Sequence, residues 1–300
     1  MKRIKRDKLA YFYDKKNKPV LEIGVNEPII IETQDAQNGR IKNENDILDQ
    51  MINLDYVNPC TGPIYIKGAE PGDTIIVEII DIKVKDQGFI CVMPGDGILR
   101  DYYTKSITKI FQFKKDTAIF DENIEFPIKP MIGTIGTTPL HTIPTGRSGI
   151  HGGNIDASTV GIGSKIHLPV FVPGALLLLG DCHARQCDSE FSMGLECATD
   201  VTINVIEIKK GKQVPCPFIE LNESWATVAT GNTLGEAIVA ASKNMADFLM
   251  ERLGININEV GVILSCVGDV KICQATGIGL YTSTVRIEVP KSIDKLNRLR

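Results

Sequence analysis

The sequence predicts an α+β protein that is mostly β, with a sandwich- or barrel-like body and a smaller α/β portion towards the C-terminus. Short β-branched segments separated by glycine and proline turns fill the first two-thirds of the 300 residues, and a long helical pattern appears only after residue 230. Many short strands with such turns are typical of sandwiches and barrels. A chain of this length can bury a substantial core without disulfides.

The strands are predicted from β-branched composition and partial alternation. The clearest segment follows the turn Pro71-Gly72-Asp73 and covers 74–84. Another apolar run, at 173–180, is expected to be a buried strand that leaves the core and enters a loop at Asp181. The remaining strands are predicted at 28–33, 63–67 and 201–208, and after the helices at 270–275 and 281–289.

Two helix starts follow these strands. Thr233 and Glu236 form a capping-box pattern, because the threonine hydroxyl can accept a hydrogen bond from a free backbone N–H and the glutamate can reach back. This predicts a helix over 234–253 that Gly254 ends. A second box begins at Asn256 and predicts a shorter helix to about residue 267. We therefore predict a mainly β domain at 1–210 and an α/β portion at 211–300 that packs on it as one intimate unit. The first domain is expected to carry the functional site.

The bulk composition excludes several classes of protein. A net charge of −4 and a pI of about 5.7 argue against a nucleic-acid partner. Charged residues fill the N-terminus where a signal peptide would be apolar, and no apolar run approaches the roughly 20 residues of a membrane span. The eight cysteines lack C-x-x-C pairs, which favours reduced thiols. We expect a cytoplasmic protein that contacts neither membrane nor nucleic acid.

The candidate catalytic residues lie in one window of the sequence. All four histidines lie between His141 and His183, among carboxylates, amides and glycines. Imidazole and carboxylate groups bind divalent metals and transfer protons near neutral pH, so this window is predicted to be a catalytic centre. The polar residues lie in His151-Gly152-Gly153-Asn154-Ile155-Asp156, in Gly180-Asp181-Cys182-His183-Ala184-Arg185-Gln186, and at Glu190 and Glu196.

The spacing within this window predicts that polar side chains converge. Asn154 and Asp156 are two residues apart, as are Asp181 and His183, and in extended backbone such pairs point to the same side. We expect both pairs to meet at a shared cation. The alternatives are that the glycines only form turns and that Asp181 and His183 form a structural hydrogen bond. His141 and His167 have no acidic neighbour and are expected to be structural.

Several longer motifs carry a family resemblance. His151–Asp156 matches the pattern H-G-G-N-x-D, and Gly180–Gln186 matches G-D-x-H-A-x-Q. Asn58-Pro59-Cys60-Thr61-Gly62-Pro63 is similar to N-P-x-T-G-P, and Gly68-Ala69-Glu70-Pro71-Gly72-Asp73 to G-A-x-P-G-D. With these motifs in order, the sequence resembles the acetamidase/formamidase family over nearly the whole chain.

The resemblance implies a largely β fold and hydrolysis of a short carboxamide to a carboxylate and ammonia. It also implies a bound metal, with zinc expected and calcium as a second or alternative ion. A homodimer is expected because symmetric dimers are the commonest assembly. By position in the motifs, the implied metal ligands are Asn154, Asp156, His183 and Glu196; the acid/base residues are Asp181 and Glu190; and the substrate-binding residues are His151, Gly152, Gly153 and Gln186.

The sequence departs from the family at two positions. Cys187 and Ser189 stand where the family has glycines, which predicts a narrower or differently shaped pocket. Two other functions stay open at this point. One is a cysteine amidohydrolase that uses Cys182 with Glu190, since the adjacent His183 would point to the opposite face of a strand. The other is a non-catalytic β protein that binds a metal or a small molecule.

Overall fold

The computed structural model describes residues 1–48, 56–276 and 282–299. Its strands and helices are, in chain order, β1 (Lys2–Ile4), β2 (Leu9–Ala10), β3 (Phe12–Tyr13), β4 (Leu21–Ile23), β5 (Ile29–Thr33), β6 (Cys60–Ile66), β7 (Thr74–Val84), β8 (Gln87–Val92), β9 (Ile107–Lys114), β10 (Thr117–Ile119), β11 (Glu125–Pro127), β12 (Met131–Gly136), β13 (Ile143–Pro144), β14 (Ser148–Gly149), β15 (Gly152–Asn154), β16 (Lys165–Pro169), β17 (Leu177–His183), β18 (Thr199–Lys209), β19 (Phe218–Glu220), β20 (Ser224–Gly231), α1 (Leu234–Leu253), α2 (Ile257–Val267), β21 (Asp269–Gln274) and β22 (Ser283–Pro290), with a short 3-10 turn at Lys291–Ile293.

Two large sheets form the body. One has nine strands in the order β1-β5-β18-β7-β16-β19-β20-β22-β21, and the other has the order β14-β15-β12-β17-β6-β2 with β4 paired to β6. Apolar side chains from both sheets share one buried core, to which the first sheet contributes Ile79, Ile203 and Val205 and the second Ile132 and Leu179. The prediction of a mostly β protein with a sandwich- or barrel-like body is therefore confirmed.

A four-stranded sheet in the order β11-β10-β9-β8 lies beside the seven-stranded one. Glu196 connects the two, because its backbone forms isolated bridges to both Phe89 and His183. This double attachment fixes Glu196 next to the end of β17, although it belongs to no strand. Within the described residues, no helix is both long enough and apolar enough to cross a bilayer.

The long helix has the predicted bounds. The Thr233 side chain accepts a hydrogen bond from the backbone N–H of Glu236 (3.1 Å), and Gly254 ends the helix in the left-handed conformation. The apolar side of α1 packs on the C-terminal strands, with Met245 and Phe248 in a second buried cluster. The prediction of a helix over 234–253 is confirmed.

The C-terminal portion continues the nine-stranded sheet. The capping box at Asn256 is present and begins α2, and β21 and β22 follow close to their predicted positions. The first predicted residue of the last strand, Tyr281, lies outside the described residues. Strand β19 pairs with β16, so hydrogen bonding crosses the boundary predicted near residue 210. The two portions therefore share one sheet.

The strand predicted at 173–180 differs from the observed one. Residues 173–176 form a turn in which Ala175 and Leu176 have positive φ, and β17 begins only at Leu177. The strand then continues through Asp181 to His183, because β12 pairs with it as far as His183. Asp181 and His183 consequently lie within a central, buried strand and not in a loop after it.

Candidate active site

Three side chains converge at the end of β17. Asp156, Asp181 and His183 each offer one possible ligand atom, and these atoms all lie within 4.8 Å of one another. All three residues are buried. Cys182, between two of them, belongs to the core between the sheets. One strand thus presents polar side chains on one face and an apolar side chain on the other.

The backbone at this group is not extended. Asp156 and Asp181 have φ angles of 45° and 52°, in the left-handed region. Asn58 and Glu190, which lie beside them, have φ angles of 52° and 45°. Non-glycine residues in this conformation cluster at functional sites. The expected convergence therefore occurs, but left-handed backbone produces it, and not the simple alternation of extended strands.

Gly133 makes room for the two aspartates. A Cβ atom at this position would collide with Asp156 Oδ1 and would lie 2.7 Å from the Asp181 carbonyl oxygen and 3.0 Å from its Oδ2. Only glycine allows β12 to pass this close to both carboxylates. The glycine in the sequence Met131-Ile132-Gly133 is thus required by the site.

Asn58 and Thr134 orient two of the acceptor groups. The Asn58 amide Nδ2 donates to Asn154 Oδ1 and to Asp181 Oδ2, each at 2.8 Å. The Thr134 hydroxyl lies 2.6 Å from Asn154 Oδ1 and 3.2 Å from Asp181 Oδ2. These contacts hold Asn154 beside Asp181, while leaving Asp181 Oδ1 turned towards His183.

His183 stands between two carboxylates. Its Nε2 atom lies 3.0 Å from Glu196 Oε1 and 3.5 Å from Asp181 Oδ1, without a hydrogen bond to either. Its Nδ1 atom lies 2.8 Å from Gln186 Oε1. The Nε2 edge of the ring therefore faces the acidic group, and the Nδ1 edge faces Gln186.

Burial and mutual repulsion dominate the electrostatics. Burial, followed by the negative charge of neighbouring carboxylates, raises the pKa of Asp156, Glu190 and Glu196 above the usual carboxyl range. Burial lowers the pKa of His183, but the charges of Glu196 and Asp181 outweigh it and raise that pKa well above its usual value. Within the described residues, His183 pairs with Asp181 and Glu196, and no ion pair is found for Asp156 or Glu190. The site therefore contains more carboxyl groups than its one paired base, His183, can neutralise.

The same residues fit a metal ion. Asp156 Oδ1, His183 Nε2 and Glu190 Oε2 are buried atoms with no hydrogen-bond partner among the described residues. Buried polar atoms are normally satisfied, and carboxylates and imidazole coordinate divalent cations. A cation at this group would satisfy these atoms and stabilise the ionised carboxylates, which burial and mutual repulsion otherwise disfavour.

A cavity of about 170 Å³ opens beside the group. Asn154, Asp181, Glu190 and Glu196 line it, and Gln274 reaches it from β21. Gln274 Nε2 donates to Asp156 Oδ2 at 2.6 Å. Asn58, Thr134 and Gln274 also belong to the site, although the sequence did not predict them. Asn58 does begin the N-P-x-T-G-P motif, whereas no local pattern distinguishes Gln274.

The residues expected to bind substrate lie elsewhere. His151 is buried against Tyr13, with ring centroids 4.8 Å apart, and burial lowers its pKa to about 4. Gly152 and Gly153 pair with β12, where a side chain on either would collide with backbone. Gln186 contacts the Nδ1 edge of the His183 ring, whereas Nε2 faces the acidic group. The structure does not bring any of these four residues to the lining of the cavity.

Of the eight cysteines, Cys91 lines the cavity, whereas Cys182 and Cys187 do not. Six of the eight are buried and all eight are free thiols, as predicted. Burial raises the pKa of Cys182 to about 11, so this thiol is a poor nucleophile. Cys187 is exposed, and neither Cys187 nor Ser189 lines the cavity. The narrower or differently shaped pocket expected from these two residues stays a prediction.

The other two histidines lie apart from the group. His141 is exposed. His167 is buried in the nine-stranded sheet, beside Glu220 and Trp225. Neither belongs to the cluster of possible ligands.

Comparison with known proteins identifies the class. The model of the Acetamidase/Formamidase family matches residues 11–148 and 140–267. The chain therefore belongs to the acetamidase/formamidase family.

Individual relatives support this assignment. The chain is 37% identical to an acetamidase from Bacillus halodurans, with a TM-score of 0.92 and coverage of 97% of this chain and 98% of that one. A structure from Thermoanaerobacter tengcongensis, described as a predicted acetamidase/formamidase, is 32% identical, with a TM-score of 0.93 and coverage of 99% and 98%. A formamidase from Methylophilus methylotrophus is 27% identical over 60% of this chain. The matches span 59% to 61% of the length of the curated relatives.

Proposed function

We propose that this protein is a metal-dependent amidohydrolase that cleaves short aliphatic carboxamides, such as formamide or acetamide, to a carboxylate and ammonia. The observation that carries the proposal is the buried group of Asp156, Asp181 and His183 beside the cavity. The family membership supports amide hydrolysis as the reaction.

Asp156, Asp181 and His183 would hold the ion, with zinc as the expected metal and calcium as the alternative. A bound divalent ion would polarise the amide carbonyl and lower the pKa of water towards neutrality. Asn154 and Glu196, which border the same group, are further candidates for ligands. Imidazole among the donors favours zinc, since calcium prefers oxygen ligands.

Glu190 is the candidate proton carrier. It lines the cavity, it is buried, and its Oε2 atom has no hydrogen-bond partner within the described residues. Its raised pKa suits a group that must both accept and donate a proton. Glu190 would take a proton from water as the water oxygen adds to the carbonyl carbon. It would then donate that proton to the nitrogen as the C–N bond breaks.

Metal analysis and assays of ammonia release test this proposal. Purified protein should contain a stoichiometric divalent metal and release ammonia from formamide or acetamide, and a chelator should abolish the activity. Glu190→Gln should lower kcat by about a hundredfold or more, because general acid–base catalysis contributes that much. Activity that survives both treatments would refute the mechanism. Tight metal binding without release of ammonia from any amide would favour the non-catalytic alternative.

The cysteine mechanism makes a different prediction. Cys182 lies in the core, away from the cavity, so Cys182→Ala should retain activity. A complete loss of activity in this variant, with metal content unchanged, would favour a thiol nucleophile. The homodimer and the cytoplasmic location also stay predictions.

A further inference from the structure

Gln186 makes contacts with three different segments of the chain. Its Oε1 atom lies 2.8 Å from His183 Nδ1. Its Nε2 atom donates to the Asp156 carbonyl oxygen at 2.7 Å and to the Cys273 carbonyl oxygen at 3.2 Å. The side chain thus lies behind the metal-ligand group and not in the cavity.

These contacts determine which way the amide of Gln186 faces. An amide nitrogen carries two donors and no acceptor, while a carbonyl oxygen only accepts. The reversed amide would place its oxygen against two carbonyl oxygens and remove the donor that each of them receives from Gln186. The Nε2 group must therefore face Asp156 and Cys273, and Oε1 must face His183.

The tautomer of His183 follows from this orientation. Because Oε1 can only accept, Nδ1 must carry the proton. In the neutral ring, Nε2 then carries the lone pair, and it faces Asp181 and Glu196. We propose that Gln186 is a positioning residue that fixes His183 as the Nδ1–H tautomer, with Nε2 free to bind a cation. The inference rests on the proposed function in taking His183 as a metal ligand.

The first experiment observes the tautomer without any metal. Nitrogen-15 NMR of histidine-labelled, metal-free protein distinguishes the two ring nitrogens, in a pH series that reaches the neutral imidazole. Wild-type His183 should carry its proton on Nδ1. Gln186→Leu removes the acceptor and should shift the ring towards the Nε2–H form. Gln186→Glu keeps an acceptor and should preserve the Nδ1–H form.

Gln274→Leu is the matched control. It removes another glutamine that binds Asp156 but that does not contact His183, so its spectrum should match the wild type at His183. A wild-type proton on Nε2 would overturn the proposal, even if Gln186→Leu does not fold. An unchanged tautomer in a folded Gln186→Leu variant would also overturn it.

The second experiment measures zinc affinity in a double-mutant cycle. Gln186→Leu should weaken zinc binding about 10- to 100-fold, the usual effect of losing a residue that orients a ligand. In a His183→Ala background the same substitution should have no further effect, because Gln186 acts through His183. An equal loss in both backgrounds would contradict the proposal. If the wild type binds neither zinc nor calcium, the proposed function fails, while the NMR result still decides the role of Gln186.

Discussion

Two buried histidines of this protein lie beside carboxylates, yet their surroundings differ in charge balance. His167 Nε2 lies 3.6 Å from Glu220, whose carboxylate also pairs with Lys165 and Lys291 at 3.5 and 3.1 Å. The neighbouring His167 and Lys291 lower the pKa of Glu220 to about 2. The negative charge of Glu220 is therefore balanced by basic residues of the same chain.

The region around His183 has the opposite balance. The neighbouring carboxylates have raised pKa values because burial and their mutual repulsion disfavour the charged forms. Burial of an acid together with a histidine therefore does not by itself define a metal site. What distinguishes the second region is that carboxyl groups outnumber the one base that pairs with them, and that Asp156 and Glu190 each have a buried oxygen without a partner among the described residues.

The largest expected effect separates the two histidines directly. His183→Ala should weaken metal binding strongly and lower kcat/KM by about a hundredfold or more, since a ligand of the proposed ion is lost. His167→Ala should cost stability without loss of bound metal. Metal content and ammonia release measured on both variants check this. Equal loss of metal in the two variants would remove the distinction.

A second test concerns the space around the aspartates. Gly133→Ala should lower metal affinity about tenfold or more and destabilise the fold by about 1–3 kcal/mol, because the new methyl group meets Asp156 and Asp181. Gly261→Ala is the control, since nothing lies within 4 Å of a Cβ at this exposed position in α2. The control should gain about 0.5–1 kcal/mol at unchanged activity. Metal titration and thermal unfolding provide the measurements.

The two regions should also respond oppositely to pH. In the metal-free protein, the acids near His183 have folded pKa values above their unfolded ones, so the native state holds more protons between those values. Stability should therefore fall as pH rises from about 4 through neutrality. The raised pKa of His183 acts in the same direction. Unfolding in the presence of a chelator, followed over this range for the wild type and Asp156→Asn, should show a weaker fall in the variant.

Glu220 should show the reverse. Its folded pKa is lowered, so its contribution to stability is present above the ordinary glutamate pKa and is lost as pH falls towards about 2. Glu220→Gln should therefore reduce stability at neutral pH and have little effect in strong acid. A loss that persists unchanged in acid would show that packing, and not charge, is responsible.

The smallest expected effect concerns Ser189. This residue has a φ of 81°, which glycine adopts without cost. Its backbone hydrogen bonds to Ile272 and Ala275 do not use the side chain. Ser189→Gly should stabilise the protein by up to about 1 kcal/mol. Thermal unfolding would measure this, and a destabilised variant would show that the hydroxyl contributes more than the backbone conformation costs.

Local sequence signals predicted the regular elements well. The capping residues Thr233 and Asn256 indicated the helix starts, and composition indicated β7, because both depend on neighbouring residues. The site was only partly predictable. Its glycine and histidine motifs indicated the window, but Gln274 reaches Asp156 from 118 residues away. Left-handed backbone at Asp156 and Asp181 depends on the surrounding tertiary structure, and no spacing rule could predict it.

Strand β17 has a further consequence for motion. It lies between β12 and β6 in the middle of its sheet, and it carries Asp181 and His183 on one side and core residues on the other. Local opening of this strand would disrupt the core, so its amide protons should exchange with solvent only on the timescale of global unfolding. Any motion that admits a ligand must then occur in the surrounding loops, while Asp181 and His183 stay in place.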